Sequence, residues 1–388
     1  MKIDKKITFI YEDLSDAQQL KPIYEEAKNR GYEVKMTTDF FEKCEIGVYC
    51  QHYNCPSKSK LSIVTLHDIG QTHGDWPNIW FKEPWNIFDI AIVPGKKWSD
   101  MWKESSKYSL ARPKIGTFEI GWPKADVVSQ GNFMEEKAAL IKQLGIDETK
   151  KTVLYAPSWE NDGKEDDYVQ ALLNLDVNIL VKQYYSISPK YNLHNKNAAE
   201  MKALHKDLPN VHIIDPAVNI FNAIALSDLM VSDESSTMFE AMLMGIPSVA
   251  VTDWKVLFGD QSVPSCVPFD FVIKTEKKSL HDCVKGILVN MEDYKKNITE
   301  YRDKNFKNIG QTSKLIMNLI DAVREGKDLP MEPLEPSWVP EKVPFKVLMH
   351  LKIRRFKTYL LLYYCFRNPL INKVYRFYRK CIGRPAED

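Results

Sequence analysis

The sequence predicts an α/β protein of two Rossmann-like domains facing a cleft, followed by a basic helical tail. Three observations carry this. Short apolar runs alternate with stretches of helical period twice over, once before residue 120 and again after residue 150. The chain, at 388 residues with 44% hydrophobic and 27% charged, is long and apolar enough for two ordinary cores. From Pro330 onward the composition changes sharply.

In the first half, Ile7–Ile10 reads as a strand, Asp16–Arg30 as a helix stopped by Gly31, and Tyr32–Met36 as the next strand. Ile46–Tyr49, Ser62–Leu66 and Phe88–Val93 follow as short apolar runs, and Lys96–Lys107 as a helix. Ile115–Pro123, rich in turn residues, reads as a loop. Alternation of this kind argues for a parallel sheet covered by helices on both faces. Between two of its strands lies Leu66-His67-Asp68-Ile69-Gly70-Gln71-Thr72-His73-Gly74-Asp75-Trp76. Its histidines, glycines and aspartates fall at the carboxyl end of a strand, where open α/β sheets place ligands.

After a helix at 134–144 the series resumes with strands at Val153–Ala156, Ile179–Val181, Val211–Ile214, Leu229–Val231 and Ser248–Val251. Helical stretches near 166–175, 197–207, 218–226 and 236–244 separate them, and helices from about 277 to 325 finish this half. The domains expected are therefore 1–130, 131–329 and a tail of 330–388. Leu229–Val251 is a strand, helix, strand unit whose turn, Asp233-Glu234-Ser235-Ser236-Thr237, offers hydroxyls and backbone N–H groups at a helix start. A phosphate suits such a turn, although Ser235 or Ser236 could equally be a plain helix cap.

Five prolines between Pro330 and Pro344 mark an extended connector. Residues 341–388 then hold twelve Lys and Arg against three acids, which leaves residues 1–340 at −8 in a chain of net charge +1. The mixture of basic, aromatic and aliphatic residues through 341–384 suits a helical pair on an anionic membrane surface, the alternative being a helix packed on the first domain. Nothing in the body favours nucleic acid. No run approaches the ~20 apolar residues of a membrane span, and no signal peptide is expected. The seven cysteines are scattered without a CxxC pair, so a reducing compartment is the simplest expectation. No His and carboxylate cluster has metal-ligand spacing; no metal and no cofactor is expected.

Three stretches taken together resemble the teichoic-acid type CDP-glycerol glycerophosphotransferases: Val153-Leu154-Tyr155-Ala156-Pro157-Ser158-Trp159, Gly121-Trp122-Pro123-Lys124-Ala125-Asp126 and Ser232-Asp233-Glu234-Ser235-Ser236-Thr237-Met238-Phe239-Glu240. The family counterparts look like LYAPTW, a GYPRND-like loop and SDYSSxxFE. The resemblance implies the GT-B architecture, with CDP-glycerol or another nucleotide-diphospho donor on the second domain and its pyrophosphate near Ser235, Ser236 and Thr237, with Ser158 close by. It further implies a lipid-linked or glycan acceptor entering from the first domain, and a peripheral enzyme on the cytoplasmic face of the cell membrane.

Two departures matter. The family's HGT-like motif, whose histidine is the proposed base, is matched by His67-Asp68 or by His73-Gly74; position after the strand favours His67, with Asp68 or Asp75 to orient it. Where the family carries K-x-H, this chain reads Lys182-Gln183-Tyr184, and a neutral tyrosine cannot stabilise a leaving phosphate by charge, whereas Lys182 can. Asp215 and Glu240 are candidates for ribose or base contacts. A sugar-nucleotide 2-epimerase is disfavoured because its turn is glycine-rich. A nucleotide-sugar glycosyltransferase and a catalytically degenerate nucleotide-binding paralogue stay open as alternatives.

Overall fold

The computed structural model describes residues 3–50, 55–66, 69–70, 80, 84–131, 133–158, 162–184, 192–258, 261–267, 269–337 and 341–360, with isolated positions at 368, 370–371, 373–374 and 377. The first sheet contains β1 (Lys6–Ile10), β2 (Glu33–Thr37), β3 (Cys44–Tyr49), β4 (Ser59–Thr65), β5 (Ile90–Val93) and β6 (Gly116–Glu119) in the order β2-β1-β3-β4-β5-β6. Every pairing in it is parallel. Strands such as Ile90-Ala91-Ile92-Val93 are apolar throughout and wholly buried, as expected where helices cover both faces of a sheet. β6 corrects the loop expected at 115–123. Phe118 pairs in register with Ile92, and it was the glycines at 116 and 121 that gave this short edge strand the look of a turn.

The second sheet contains β7 (Lys151–Tyr155), β8 (Val177–Val181), β9 (Val211–Ile213), β10 (Leu229–Ser232), β11 (Ser248–Val251) and β14 (Ile273–Thr275), ordered β14-β11-β10-β7-β8-β9 and again all parallel. A hairpin of β12 (Lys255–Phe258) and β13 (Gln261–Pro264) stands apart from both sheets. The hairpin and β14 had no counterpart in the sequence reading. In each sheet the strand order reverses once, between β1 and β3 in the first and between β7 and β10 in the second. Such reversal points open a crevice at the carboxyl ends of the strands.

Helices α1 (Leu14–Asn29), α2 (Lys96–Ser105) and α3 (Asp126–Gln130) belong to the first half, and α4 (Phe133–Leu144), α5 (Lys164–Leu172), α6 (Asn192–His205), α7 (Ile220–Ala225), α8 (Thr237–Leu243), α9 (Leu280–Val289) and α10 (Met291–Asn305) to the second. The next helix, α11 (Thr312–Glu325), amends the domain division expected from the sequence. Ile316, Met317, Leu319 and Ile320 pack with Ile7, Phe9, Leu20 and Ile23, so α11 covers the first sheet. Asp126 holds it there, accepting the backbone N–H groups of Thr312 at 3.0 Å and Ser313 at 2.7 Å. The approach is close. Gly121, at φ +145°, would place a Cβ 2.4 Å from Thr312 Oγ1, so no other residue fits. Trp98 and Trp122 of the first half meet Phe239 and Phe306 of the second, with Trp98 and Phe306 ring centres 4.9 Å apart, and the two halves share one apolar core.

The proline-rich connector lies along the first domain. Leu334 donates its N–H to Thr117 O at 2.7 Å, and Glu341 donates to Lys107 O at 2.6 Å. Beyond it α12 (Phe345–Leu360) is two-sided. Val347, Leu348 and Leu351 turn inward against the core, and Tyr359 meets Phe41 edge to face. Phe345, Met349, Ile353, Phe356 and Leu360 form a second stripe one helical face away, left in solvent, with Phe345 76% and Phe356 62% exposed. Lys346, Lys352 and Lys357 are exposed on the same helix. Among the described residues no helix is long and apolar enough to cross a membrane.

Candidate active site

The reversal points of the two sheets face each other across a cavity of roughly 100 Å³. From the first domain it is lined by the start of α1 (Leu14, Ser15) and by Lys124. From the second come Ala156 after β7, Lys182 and Tyr184 after β8, Pro216 to Val218 after β9, and Thr237 at the start of α8.

The turn between β10 and α8 is built around a buried carboxylate. Asp233 is fully enclosed, accepts Ser158 N at 2.7 Å and Ser158 Oγ at 2.6 Å, and pairs with Lys164 Nζ at 2.5 Å. Ser235 N points to the same group at 3.2 Å, and Ser232 Oγ donates to Ala156 O at 2.6 Å. These bonds tie the β7 exit, α5 and the turn into one unit. Ser158, expected close to the donor, gives its hydroxyl proton to Asp233. Ser235 Oγ and Thr237 Oγ1 are 2.9 Å apart, and Ser236 is the residue before the helix, making no side-chain cap. With seven residues, α8 has little dipole to offer a doubly charged phosphate. Positive charge has to come from side chains.

Lys182 is the first source. It is 7% exposed, and Nζ donates to Pro216 O at 3.0 Å. Burial pushes its pKa down to about 8, opposed by the nearby Asp215 charge and assisted by that of Lys124. An ammonium held this way in a cavity wall is poised to accept an anion. Tyr184, expected to bind the donor, instead donates its hydroxyl across the cleft to Asp13 Oδ2 at 2.7 Å; its ring lines the cavity and its hydroxyl bridges the domains. Asp215, expected near ribose or base, is exposed and accepts Ala217 N at 2.9 Å, so it shapes the turn whose next residues line the cavity. Glu240, given the same expectation, is 2% exposed and salt-bridged to Lys124 of the first domain. That ammonium also sits over the rings of Trp122 and Phe221.

His67, Asp68 and His73 lie outside the described residues. Their surroundings are anchored: Leu66 O accepts the Gln19 amide, which also reaches Thr65 Oγ1 at 2.9 Å, and Ile69 O accepts Trp98 Nε1 at 2.8 Å. Asp13 and Lys124 are the site residues that the sequence reading passed over. Asp13 caps α1, accepting Leu14 N at 2.6 Å, and lies before the helix expected from Asp16. Lys124 stood inside the Gly121–Asp126 motif as its one basic residue and was assigned no role.

Two parallel α/β domains with a lysine-bearing cavity between their reversal points define a two-domain protein of the GT-B type. The chain belongs to the CDP-glycerol:poly(glycerophosphate) glycerophosphotransferase family, whose model matches residues 65–320. It is 23% identical over 260 residues to a teichoic acid poly(glycerol phosphate) polymerase of Bacillus spizizenii, covering 62% of this chain and 60% of that one. With a teichoic acid glycerol-phosphate transferase of Staphylococcus aureus it shares 24% over 228 residues, 55% of this chain and 54% of that one. The chain thus spans little more than half the length of these relatives. Among solved structures, a variant of the wall teichoic acid polymerase TagF soaked with CDPG superposes with a TM-score of 0.59 at 18% identity, covering 83% of this chain and 89% of that one.

Proposed function

We propose that this protein transfers glycerol phosphate from CDP-glycerol to a lipid-linked acceptor in cell-surface polymer synthesis. The observation that carries the reading is Lys182, a buried ammonium in the wall of the cavity between the two domains, in a chain of this family. In the reaction an acceptor hydroxyl attacks the phosphorus bearing glycerol, the bond from that phosphorus to the bridging oxygen breaks, and CMP departs with the electron pair. His67 takes the hydroxyl proton, with Asp68 orienting it. Lys182 offsets charge building on the departing phosphate, and Ser235, Ser236 and Thr237 supply hydrogen bonds. Backbone groups at 216–218 suit the base.

A thermal-shift panel of CDP, CDP-glycerol, UDP, GDP and UDP-sugars tests the donor. At a hundredfold excess over Kd, a bound ligand adds about 2.7 kcal/mol. CDP and CDP-glycerol are expected to raise Tm by about 3 °C, with UDP-sugars silent. A response to UDP-sugars alone would make the protein a glycosyltransferase, and silence throughout a binding protein without a nucleotide substrate. The shift also has a pH signature. Because Lys182 loses its proton near pH 8 in the free protein, CDP stabilisation is expected to fall as pH rises from 7 to 9. The ligand-free protein moves the other way: its Lys182 pKa is depressed, so the unfolded chain binds more protons above pH 8, and the penalty for burying the charge is relieved as pH climbs toward 10.5.

The acceptor reading draws in the membrane. The exposed stripe Phe345, Met349, Ile353, Phe356 and Leu360, accompanied by lysines, suits insertion among anionic lipids at the cytoplasmic face. Vesicle flotation checks this. Binding to phosphatidylglycerol vesicles is expected to weaken on the order of a hundredfold when Phe345 and Phe356 are both replaced by Glu, since each buried ring contributes roughly 1.5–3 kcal/mol. Equal recovery of the variant and the parent would remove the membrane reading.

A further inference from the structure

Lys124 belongs to the first domain, yet it lines the same cavity as Lys182. Its side chain is 10% exposed, and among the described residues its one hydrogen-bond partner is the carboxylate of Glu240, on α8 directly after the Ser235–Thr237 turn. An ammonium carries three N–H donors, and Glu240 takes one. The remaining positive field is felt across the cavity, where it helps to depress the titration of Lys182. Two ammoniums facing one cavity repel, and desolvation raises that cost, so the arrangement favours an anion between them. Glu240 pairs with Lys124 and the exposed Asp215 partly offsets Lys182, yet among the described residues each ammonium makes a single hydrogen bond, which leaves N–H donors for an anion. The second oxygen of Glu240 is buried and makes no hydrogen bond in the ligand-free protein.

We propose that Lys124 and Lys182, one from each domain, together clamp the diphosphate of the nucleotide donor, with Glu240 acting as the positioning residue that aims Lys124. This rests on the donor reading above and assigns Glu240 a role through Lys124 instead of on the ribose. It also makes the donor site a two-domain structure. The diphosphate is gripped from both sides.

Calorimetric titration of the full chain with CDP and with cytidine tests it. Lys124→Met is expected to weaken CDP about 10- to 100-fold, the range of a charge-assisted hydrogen bond, and to leave cytidine affinity unchanged. Lys124→Arg is expected to stay within a few-fold of the parent. Because Lys124→Met leaves Glu240 buried without its cation, the pair Lys124→Met with Glu240→Leu provides a folded control, and CDP must remain weakened in it. CDP binding equal to the parent in either variant would overturn the proposal and leave Lys124–Glu240 as a strut between domains. Equal weakening of CDP and cytidine would also overturn it, since that reports a distorted site. If the parent binds UDP in place of CDP, the cytidine reading fails while the clamp is judged by UDP against uridine; if it binds no nucleoside diphosphate, the clamp is refuted with it.

Discussion

Replacing His67 with alanine is expected to lower kcat about 10²- to 10⁴-fold, the range removed with a general base, while CDP affinity stays at the parent value. The basis is position. β4 ends at Thr65, beside β5 in the first sheet, and the carbonyls of Leu66 and Ile69 are each fixed by a buried side chain, Gln19 and Trp98. A neutral imidazole also has a pKa near the working pH, so it can take a hydroxyl proton without first losing one. The comparison that matters is His73→Ala, expected to cost less than about tenfold. Transfer of radiolabelled glycerol phosphate measures both, with CDP titration as the binding control. The assignment falls if His73→Ala is the more damaging, and the whole catalytic reading falls if neither variant slows turnover.

The second large effect is on stability. Asp233→Ala is expected to destabilise the protein by about 3–5 kcal/mol, because removing one member of a buried ion pair leaves the other charged and unsatisfied. Here the member left behind is Lys164, whose side chain is 2% exposed. The same change strips Ser158 of its acceptor for both Oγ and N–H. Urea denaturation should show the midpoint falling, and Asp233→Ala combined with Lys164→Met should recover most of the loss. Recovery matters more than the loss itself. A double variant as unstable as the single one would mean that Asp233 acts through the turn's backbone and not through its charge.

The strands of the second domain were legible because β7, β8, β10 and β11 are buried on both faces, so each contains a run of three apolar residues next to a polar one. The short pieces were not. β6 (GTFE), β14 (IKT) and the hairpin strands (KVLF and QSVP) mix Gly, Lys, Gln, Ser or Thr with their few apolar residues, so no apolar run stands out. The helical character of 312–325 was equally plain, but an amphipathic stripe states that a helix has a buried face and not which sheet buries it. For the site, the turn and Lys182 could be read locally. The pairings that decide what those residues do could not: Lys124 meets Glu240 across 116 positions, and Tyr184 meets Asp13 across 171. No sequence spacing encodes a contact of that span, and so the bridges that Tyr184 and Glu240 make between the domains were not foreseen.

The return of α11 to the first sheet has one more consequence. The chain leaves the first domain after Asp126 and re-enters it at Thr312, and those two residues are hydrogen-bonded to each other at 3.0 Å. The second domain is thus an insertion whose two ends enter and leave through a single doorway. Its exchange between relatives would have to keep more than that doorway, because Phe239 and Phe306 pack on Trp98 and Trp122 of the first domain and Glu240 pairs with Lys124.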